Sequence, residues 1–476
     1  MTQGQNSLAG ANKYADILFI QCPPWDTVMP PLGIAYLSAY LNEYGYKTAV
    51  FDLNVVLYNS VPQDLKYLWL QKSYSSWVDK DFIKNIWFQL KELATVSICQ
   101  ALQDVHTPCI GLSVNFASIG FAVELLKVVK YIKSDIKIIL GGWGCIDEHM
   151  RSRFPENLVD VFVAGEGEQA LKEAMDRLTG RKKPANIPGV IFTEDYLPVC
   201  KPRLPVMDLE VLPWPKFTEF QLDLYKYRQL PLLSSRGCIG NCSFCNDWSY
   251  SKPYRYRKAS TVFEEIRYHK ENNNINAFSF KDLLCNGNLD NLNSLADRII
   301  DSKIEVFWDA QAISRKEMNY ALLCKLKKSG CTTLIYGVES FSNNTLKKMN
   351  KLFTKEIAEK VIRDTSRAGI KVFINIIVGF PTETDKDFKE TFEAINANRK
   401  YISNIGAISV CLINPNTNLS TRPKDYGLVS SFGQGMEIKD WLSAGDKNNY
   451  TIRKKRIEMI MDLTAQLGLS CMNITI

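Results

Sequence analysis

The chain has 476 residues, of which 46% are hydrophobic and 23% charged, and a net charge of +7. At ~100 to 200 residues per domain this length predicts roughly three globular units, which excludes a peptide hormone, a disulfide knot and a single binding module. No apolar run approaches the ~18 residues of a membrane span, and residues 1–16 show no export signal, so a cytoplasmic protein is expected. The small basic excess carries no nucleic-acid motif and favours acidic partners, such as the electron donors flavodoxin or ferredoxin.

Residues 1–182 predict strands that alternate with helices, which is typical of a parallel sheet with helical crossovers. Helices are expected near 30–46, 120–133 and 147–154, and strands at 15–21, 48–54, 109–115, 137–142 and 159–167. This is the pattern of an α/β, doubly wound, Rossmann-like domain whose ligand lies over the carboxyl ends of the strands. A helical insertion at 57–107 carries Trp69, Trp77 and Trp87. These tryptophans either pack the insertion onto the domain or line a substrate cavity.

A proline-rich segment follows this domain. Seven of the 19 prolines fall between Pro184 and Pro215, too many for a helix and unsuited to a central strand. We interpret residues 183–230 as a linker that follows a surface through four apolar anchors: Ile191, Phe192, Leu212 and Trp214.

Residues 231–420 predict a second alternating series. Strands are expected at 231–236, 277–282, 305–311, 332–339, 371–380 and 405–412. Thr261 and Glu264 have capping-box spacing in the helix beginning near 260. Pro381 and Thr384 indicate that another helix starts near 385. Six repeats are fewer than the eight of a closed barrel, so a partial (β/α)6 barrel is predicted, followed by a short helical C-terminal region at 421–476.

Three cysteines directly after the first strand of this series give the strongest chemical signal. Cys238, Cys242 and Cys245 have C-x3-C-x2-C spacing on a loop that contains Gly237 and Gly240. Without an export signal the 13 cysteines of the chain are expected to stay reduced. Three thiolates can ligate three irons of a [4Fe-4S] cluster and leave the fourth iron open. The alternatives are a zinc site, which prefers four closed ligands, and cysteines that only pack in the core.

This loop at the first strand of a partial barrel resembles that of the radical S-adenosylmethionine (SAM) enzymes. The segments 278–288, 336–340, 368–370 and 379–384 are similar to other strands of that superfamily. The resemblance implies that SAM occupies the open iron and that an electron from the cluster breaks SAM to give a 5'-deoxyadenosyl radical.

The same resemblance implies contacts to SAM. Phe244 would contact the adenine, Asp282 the amino group, and Glu339 and Ser340 the ribose or methionine end. A carboxylate beside a sulfonium and an ammonium is electrostatically favourable. For each of these residues the alternative is a purely structural role.

The N-terminal domain resembles the cobalamin-binding domain that precedes the radical SAM domain in one branch of the superfamily. The resemblance rests on the segments 30–54, 140–144 and 163–171. It implies that Ser113, Gly141 and Gly142 line the cleft for the nucleotide tail, where small residues permit close approach.

Alignment on Gly33 places Pro30 where related domains carry the histidine that binds cobalt, so no lower histidine ligand is expected. Trp143 follows the glycine pair where smaller residues are usual, and it would narrow the cleft.

Gly165, Glu166 and Gly167 admit two interpretations. With Ala170 they match the G-x-G-x-x-A dinucleotide motif. However, this motif ends its domain, and Glu166 and Glu168 would repel a pyrophosphate. A turn that faces the corrin is the interpretation that we adopt.

The resemblance implies a cobalamin-dependent radical SAM enzyme, and the commonest activity of this branch predicts a methyltransferase. One SAM would supply the methyl group to cobalt, and a second would supply the radical that opens an unactivated carbon or phosphorus. A cyclase, ring-contraction or rearrangement enzyme with the same cofactors is the first alternative. A cobalamin or SAM sensor is the second. The substrate, a small molecule or a peptide, is not identified by any motif.

Overall fold

The computed structural model of the protein describes residues 13–70, 73–182, 186–195, 201–429, 441–446 and 448–475. Most of the N-terminal stretch expected to lack an export signal, and parts of the predicted linker and C-terminal region, lie outside these residues. The chain divides into two compact units, Met1–Pro231 and Leu232–Ile476. The finer domain boundaries stay a prediction. Among the described residues, no helix is both long and apolar enough to cross a membrane.

The first unit is built on a six-stranded sheet with the spatial order β2-β1-β3-β4-β5-β6. The strands are β1 (Ile17–Gln21), β2 (Thr48–Phe51), β3 (Cys109–Ser113), β4 (Lys137–Gly141), β5 (Val161–Val163) and β6 (Val190–Phe192). The first five are parallel, and β6 pairs antiparallel with β5. The predicted α/β series is therefore confirmed. The antiparallel edge strand β6 was not predicted, because it lies inside the proline-rich segment.

The helices of this unit cover both faces of its sheet. They are α1 (Leu32–Glu43), α2 (Leu53–Ser60), α3 (Tyr74–Val78), α4 (Phe82–Asp104), α5 (Ile119–Ile132), α6 (Glu148–Arg151) and α7 (Gly167–Leu178). The strand order reverses between β1 and β3, and a crevice for a ligand forms at the carboxyl ends of strands at such a point.

The tryptophans of the insertion are packing residues. Trp69 donates a hydrogen bond from Nε1 to Asn54 Oδ1 at 2.7 Å, and Trp77 donates to the Leu68 carbonyl at 2.8 Å. Both indoles are buried in the hydrophobic core of the unit. Trp87 packs edge-on against Phe121, with ring centroids 5.1 Å apart. The structure therefore supports the first of the two interpretations, in which these side chains fix the insertion to the domain.

The second unit is built on a seven-stranded sheet whose strands follow one another in chain order. They are β7 (Gln229–Leu232), β8 (Ala277–Phe280), β9 (Phe307–Ala312), β10 (Cys331–Glu339), β11 (Lys371–Val378), β12 (Asn404–Val410) and β13 (Cys471–Thr475). From β8 to β13 every neighbouring pair is parallel. The six predicted strands are present, and β13 adds a seventh to the partial barrel.

Helices precede and separate these strands. They are α8 (Asn246–Ser251), α9 (Ala259–Asn273), α10 (Leu289–Ser302), α11 (Tyr320–Lys328), α12 (Asn343–Lys348), α13 (Lys355–Arg367), α14 (Asp385–Ala397), α15 (Asn418–Thr421) and α16 (Tyr450–Gln466). Thr384 caps α14 in a complete capping box with Asp387, at the predicted start. The capping box expected at Thr261 is wrong, because α9 already begins at Ala259, whose N–H donates to Asn291 Oδ1 at 2.8 Å.

Candidate functional site

The three-cysteine loop contains a gap between two of its sulfurs. The Gly240 N–H donates to Cys238 Sγ at 3.3 Å. A Cβ added to Gly240 would lie 3.5 Å from Cys238 Sγ and 3.8 Å from Cys242 Sγ. Gly237 has φ +81°, and a Cβ there would lie 2.4 Å from the Ser251 carbonyl oxygen. Glycine is therefore required at Gly237 by its positive φ and close backbone contact, whereas Gly240 leaves the space beside the two thiols open.

This loop fits an iron-sulfur cluster as its ligand. Its donor set is three cysteine thiols, and each thiolate of a [4Fe-4S] cluster binds its own iron, so the sulfurs need not meet at one point. In the described part of the chain, no three His, Cys, Asp or Glu side chains are gathered closely enough to hold a single metal ion.

The loop is fixed from outside by hydrogen bonds. Ser243 is fully buried; its N–H donates to the Met349 carbonyl at 2.9 Å, and its carbonyl accepts from the Leu419 N–H at 3.1 Å. Asn350 Nδ2 donates to the Asn241 carbonyl at 2.7 Å. The turn after α12 and the start of α15 thus hold the loop in place, as a site for a rigid cofactor requires.

A buried ion pair lies beside the thiols. Lys351 Nζ is 3.4 Å from Glu339 Oε1, and the two side chains are only 5% and 12% exposed. The ammonium also lies 5.8 Å from the centroid of the Phe244 ring. Burial raises the pKa of the Cys238 and Cys242 thiols, and the charge of Lys351 lowers it. Lys351 was missed because nothing in the sequence distinguishes it from the nearby lysines.

The backbone at Glu339 is strained so that its carboxylate can form this pair. Its φ is +69°, and the pairing of β10 with β11 shifts register between Gly337 and Glu339. Burial raises the pKa of Glu339, and Lys351 lowers it. A positive φ at a residue with a side chain costs free energy and often marks a functional position. The structure thus gathers the predicted Phe244 and Glu339, and the cysteines, around Lys351.

Two other predicted SAM contacts have structural partners. Asp282 is fully buried and accepts hydrogen bonds from the Ser234 N–H at 2.7 Å, from the Ser234 hydroxyl, and from the Ser235 hydroxyl at 3.0 Å. Burial raises the pKa of Asp282, and these serine hydrogen bonds lower it. Ser340 Oγ lies 3.0 Å from Thr391 Oγ1 on α14. Both side chains join neighbouring elements, and their contacts with SAM stay a prediction.

A second buried ion pair closes the segment 379–384. Glu383 accepts from the Gly379 N–H at 2.8 Å and from Arg456 Nη1 at 2.7 Å. Burial raises the pKa of Glu383 to about 7 in spite of the guanidinium. Arg456 belongs to α16, so the C-terminal helix completes this part of the barrel. The sequence motif marked the segment, but nothing in it indicated the arginine partner.

In the first unit, Ser113, Gly141 and Gly142 come together as predicted. The Val114 N–H donates to the Gly141 carbonyl at 2.9 Å, and the Gly144 N–H donates to the Val114 carbonyl at 2.9 Å. Gly142 has φ +96°; a Cβ there would lie 2.6 Å from the Val114 carbonyl oxygen and 3.5 Å from Ser113 Oγ. Only glycine permits this close approach of the turns after β3 and β4.

The remaining predicted glycines differ in their surroundings. A Cβ added at Gly33 or Gly165 would meet nothing within 4 Å, so both residues border open space. A Cβ at Gly167 would lie 3.1 Å from Leu37 Cδ2, so Gly167 permits the packing of α7 on α1. The Glu166 carboxylate accepts from the Val206 N–H at 2.8 Å. Their cobalamin contacts stay a prediction.

Comparisons with known proteins agree with this arrangement. A family model of the radical SAM superfamily matches residues 232–395. An uncharacterized methyltransferase of Pyrococcus horikoshii is 23% identical over 372 residues, which cover 77% of this chain and 73% of that one. The anaerobic magnesium-protoporphyrin IX monomethyl ester cyclase of Rubrivivax gelatinosus is 24% identical over 385 residues, covering 76% of this chain and 61% of the cyclase.

A solved structure shares the fold of both units. The radical SAM methyltransferase TsrM of Kitasatospora setae, solved with cobalamin and a [4Fe-4S] cluster bound, superposes with a TM-score of 0.65 at 15% identity, over 90% of this chain and 79% of TsrM. These comparisons confirm the predicted α/β fold class and the predicted radical SAM domain. Residues 232–395 therefore match the radical SAM superfamily, and the chain as a whole shares the fold of TsrM.

Proposed function

We propose that the protein is a cobalamin-dependent radical SAM methyltransferase that acts on an unactivated carbon or phosphorus of a small molecule or peptide. The observation that carries this proposal is the three-cysteine loop, with its glycine-lined gap beside a buried lysine-glutamate pair. A sensor would not need three partly buried donor thiols on one loop beside a buried carboxylate. The methyltransferase relatives and the fold shared with TsrM support the same choice.

In this proposal Cys238, Cys242 and Cys245 hold the cluster, which in radical SAM enzymes supplies the electron that cleaves SAM. Lys351 lowers the pKa of two of the thiols and so favours their ligating thiolate form. Lys351 also offers an ammonium to the carboxylate of SAM, and Glu339 offers a carboxylate to a hydroxyl or ammonium group of SAM. The Phe244 ring provides an apolar face for the adenine.

The first unit would bind the corrinoid, which carries the methyl group in this branch of the family. Gly33 and Gly165 border open space, and Ser113 with Gly141 and Gly142 would line the cleft for the nucleotide tail. Pro30 occupies the position of the usual cobalt-binding histidine. We infer that the corrin is held without an imidazole ligand from this loop.

Two finer assignments belong to the proposal. The basic excess of +7 supports an acidic electron donor of the flavodoxin or ferredoxin type. The lack of an apolar helix of spanning length in the described residues is compatible with the cytoplasmic location expected from the sequence.

A cyclase or rearrangement enzyme with the same cofactors is the second candidate. The specific observation in its favour is the similarity to the Rubrivivax gelatinosus cyclase. Methylation and cyclisation share the first steps and differ in the fate of the methyl group of SAM.

The proposed function is tested by anaerobic reconstitution with iron, sulfide and cobalamin, followed by addition of dithionite and methyl-labelled SAM. We expect 5'-deoxyadenosine and label in the corrinoid fraction. Cys242→Ala should lose the iron and both products, whereas Cys99→Ala, in α4 of the other unit, should keep them. A cluster that forms but never cleaves SAM would favour a sensor. Cleavage of SAM without any methyl transfer would favour the cyclase.

A further inference from the structure

In the described part of the chain, β11 and β12 each have one face whose side chains are fully buried and one whose side chains are only partly buried. On β11, Val372, Ile374 and Ile376 are fully buried, whereas the alternate residues Phe373, Asn375 and Ile377 are only partly buried. Side chains alternate between the two faces of a strand. The buried set therefore packs under the helices, and the alternate set lines the inner face of the partial barrel.

The strand register places four uncharged polar residues together on this inner face. Asn375 pairs with Ala407, and Ala407 pairs with Asn473 on β13. One row nearer the carboxyl ends, Ser409 pairs with Thr475. Paired residues of parallel strands share a face. The four residues, called the polar wall here, are Asn375, Ser409, Asn473 and Thr475.

A bulge in β12 leaves room for the Asn375 side chain of the neighbouring strand. The pairing of β11 with β12 shifts register between Ile374 and Asn375, which leaves Gly406 as the extra residue. A Cβ added to Gly406 would lie 2.5 Å from Asn375 Oδ1 and 3.3 Å from Ile335 Cγ2. The absence of a side chain at Gly406 therefore leaves room for the side-chain amide of Asn375. Bulges of this kind are common next to active sites.

The polar wall has hydrogen-bonding capacity that the protein does not use. In the part of the chain that the structure describes, none of its four side chains makes a hydrogen bond to another protein group. Two carboxylates of the same sheet are already engaged: Glu339 with Lys351 at 3.4 Å, and Asp309 with the Ser279 hydroxyl at 2.7 Å. The wall therefore offers amides and hydroxyls without a charge of its own.

We propose that the polar wall binds substrate and selects an uncharged group rich in donors and acceptors, such as a peptide amide. An amide group of the substrate can donate hydrogen bonds to the asparagine and hydroxyl side chains of the wall and accept hydrogen bonds from them. This is possible because amides and hydroxyls all have both donor and acceptor atoms. A carboxylate or phosphate would gain no counter-charge from these four side chains, and an apolar group would leave the amides unpaired. This inference rests on the proposed function, because it places the substrate at the strand ends where SAM is cleaved.

The test uses a matched pair of perdeuterated probes, N-acetylalaninamide and N-acetylalaninate, with the full chain carrying its cluster and cobalamin. Dithionite supplies one electron to cleave SAM into methionine and the 5'-deoxyadenosyl radical. A bound probe then gives a deuterium atom to the radical, and its own carbon radical is reduced by dithionite and protonated by water. The deuterated fraction of total 5'-deoxyadenosine, read by mass spectrometry, reports occupancy of the wall.

We expect at least about fivefold more label from the amide probe than from the carboxylate probe. This is the factor in binding that the loss of one hydrogen bond produces. Asn473→Leu should lower the label from the amide, and Asn473→Lys should shift the preference toward the carboxylate. Met472→Leu is the control, because Met472 lies on the opposite face of β13 and is 59% exposed.

Three results would overturn the inference: equal label from both probes, no label from either probe while 5'-deoxyadenosine forms, or an unchanged preference in both Asn473 variants. If no 5'-deoxyadenosine forms at all, the proposed function fails rather than the assignment of the wall.

Discussion

Replacing Lys351 by methionine removes the charge of a buried pair and keeps the length of the side chain. The partner, Glu339, then stays at the end of β10 with its carboxylate buried and its cation lost. Removing one member of a fully buried ion pair costs ~3–5 kcal/mol. Because the side chains are still 5% and 12% exposed and the N–O distance is 3.4 Å, we expect a smaller loss than this range, about 2–3 kcal/mol near pH 8.

The stability lost in the Lys351→Met variant should increase as the pH rises. Burial raises the pKa of Glu339 in the folded protein, so the folded state holds its proton to higher pH than the unfolded chain does. Such a group lowers the stability as pH rises from the ordinary glutamate range through its folded pKa. Without Lys351 the folded pKa rises further, so the variant should lose more stability at pH 8 than at pH 5.5.

Urea unfolding of the cluster-free protein at these two pH values measures the effect. Lys347→Met, one turn earlier and exposed, is the matched control and should change the free energy of unfolding by less than ~0.5 kcal/mol. The double variant Glu339→Gln, Lys351→Met should recover most of the loss, because no buried charge remains. A loss that is equal at both pH values, or no larger than in the Lys347 control, would refute this account of the pair.

Three further outcomes follow from the geometry. Gly240→Ala should reduce the iron bound per chain on reconstitution, because the added methyl group enters the gap beside the thiols. Gly33→Ala is the control and should not reduce it, because a methyl group there meets nothing within 4 Å. Iron and sulfide analysis measures both variants. Arg456→Leu should destabilise the protein by ~3 kcal/mol or more above pH 7, where Glu383 is charged. The loss should be smaller near pH 5.5, because Glu383, whose pKa is about 7, is then protonated. Thermal unfolding at several pH values measures the effect, and a loss that does not change with pH would show that the pair is unimportant. Gly142→Ala should cost ~1–3 kcal/mol because of its φ of +96° and the clash with a carbonyl oxygen, and wild-type stability would contradict the assigned conformation.

Most of the fold could be predicted because both sheets consist mainly of parallel, buried strands, which are continuous apolar runs separated by helical patterns. The exceptions have physical reasons. β6 is a three-residue edge strand within a proline-rich segment, and β13 is a partly exposed edge strand after a helix, so neither has a strong apolar pattern. The start of α9 was predicted, but its capping box was not found, because its first N–H donates to Asn291, which is distant in sequence.

The candidate site was predicted only as far as local spacing reaches. The cysteines lie within one loop, so their spacing alone indicates the cluster. Lys351 and Arg456 lie 12 and 73 residues from the glutamates that they contact. Such pairs depend on tertiary structure, and an isolated lysine or arginine carries no local signal of its partner. The roles of Asp282 and Ser340 were read from position alone, without the serine and threonine partners that the fold supplies.

The position of α16 and β13 affects where the chain can be truncated for expression. The recognisable domain ends at residue 395, but the arginine that pairs with Glu383 and the strands β12 and β13 all come later in the chain. A fragment that stops at the recognisable boundary would expose a bare strand edge and leave a buried acid without its cation. We therefore expect such a truncation to aggregate on expression, so that work on the isolated barrel should retain the chain through Thr475.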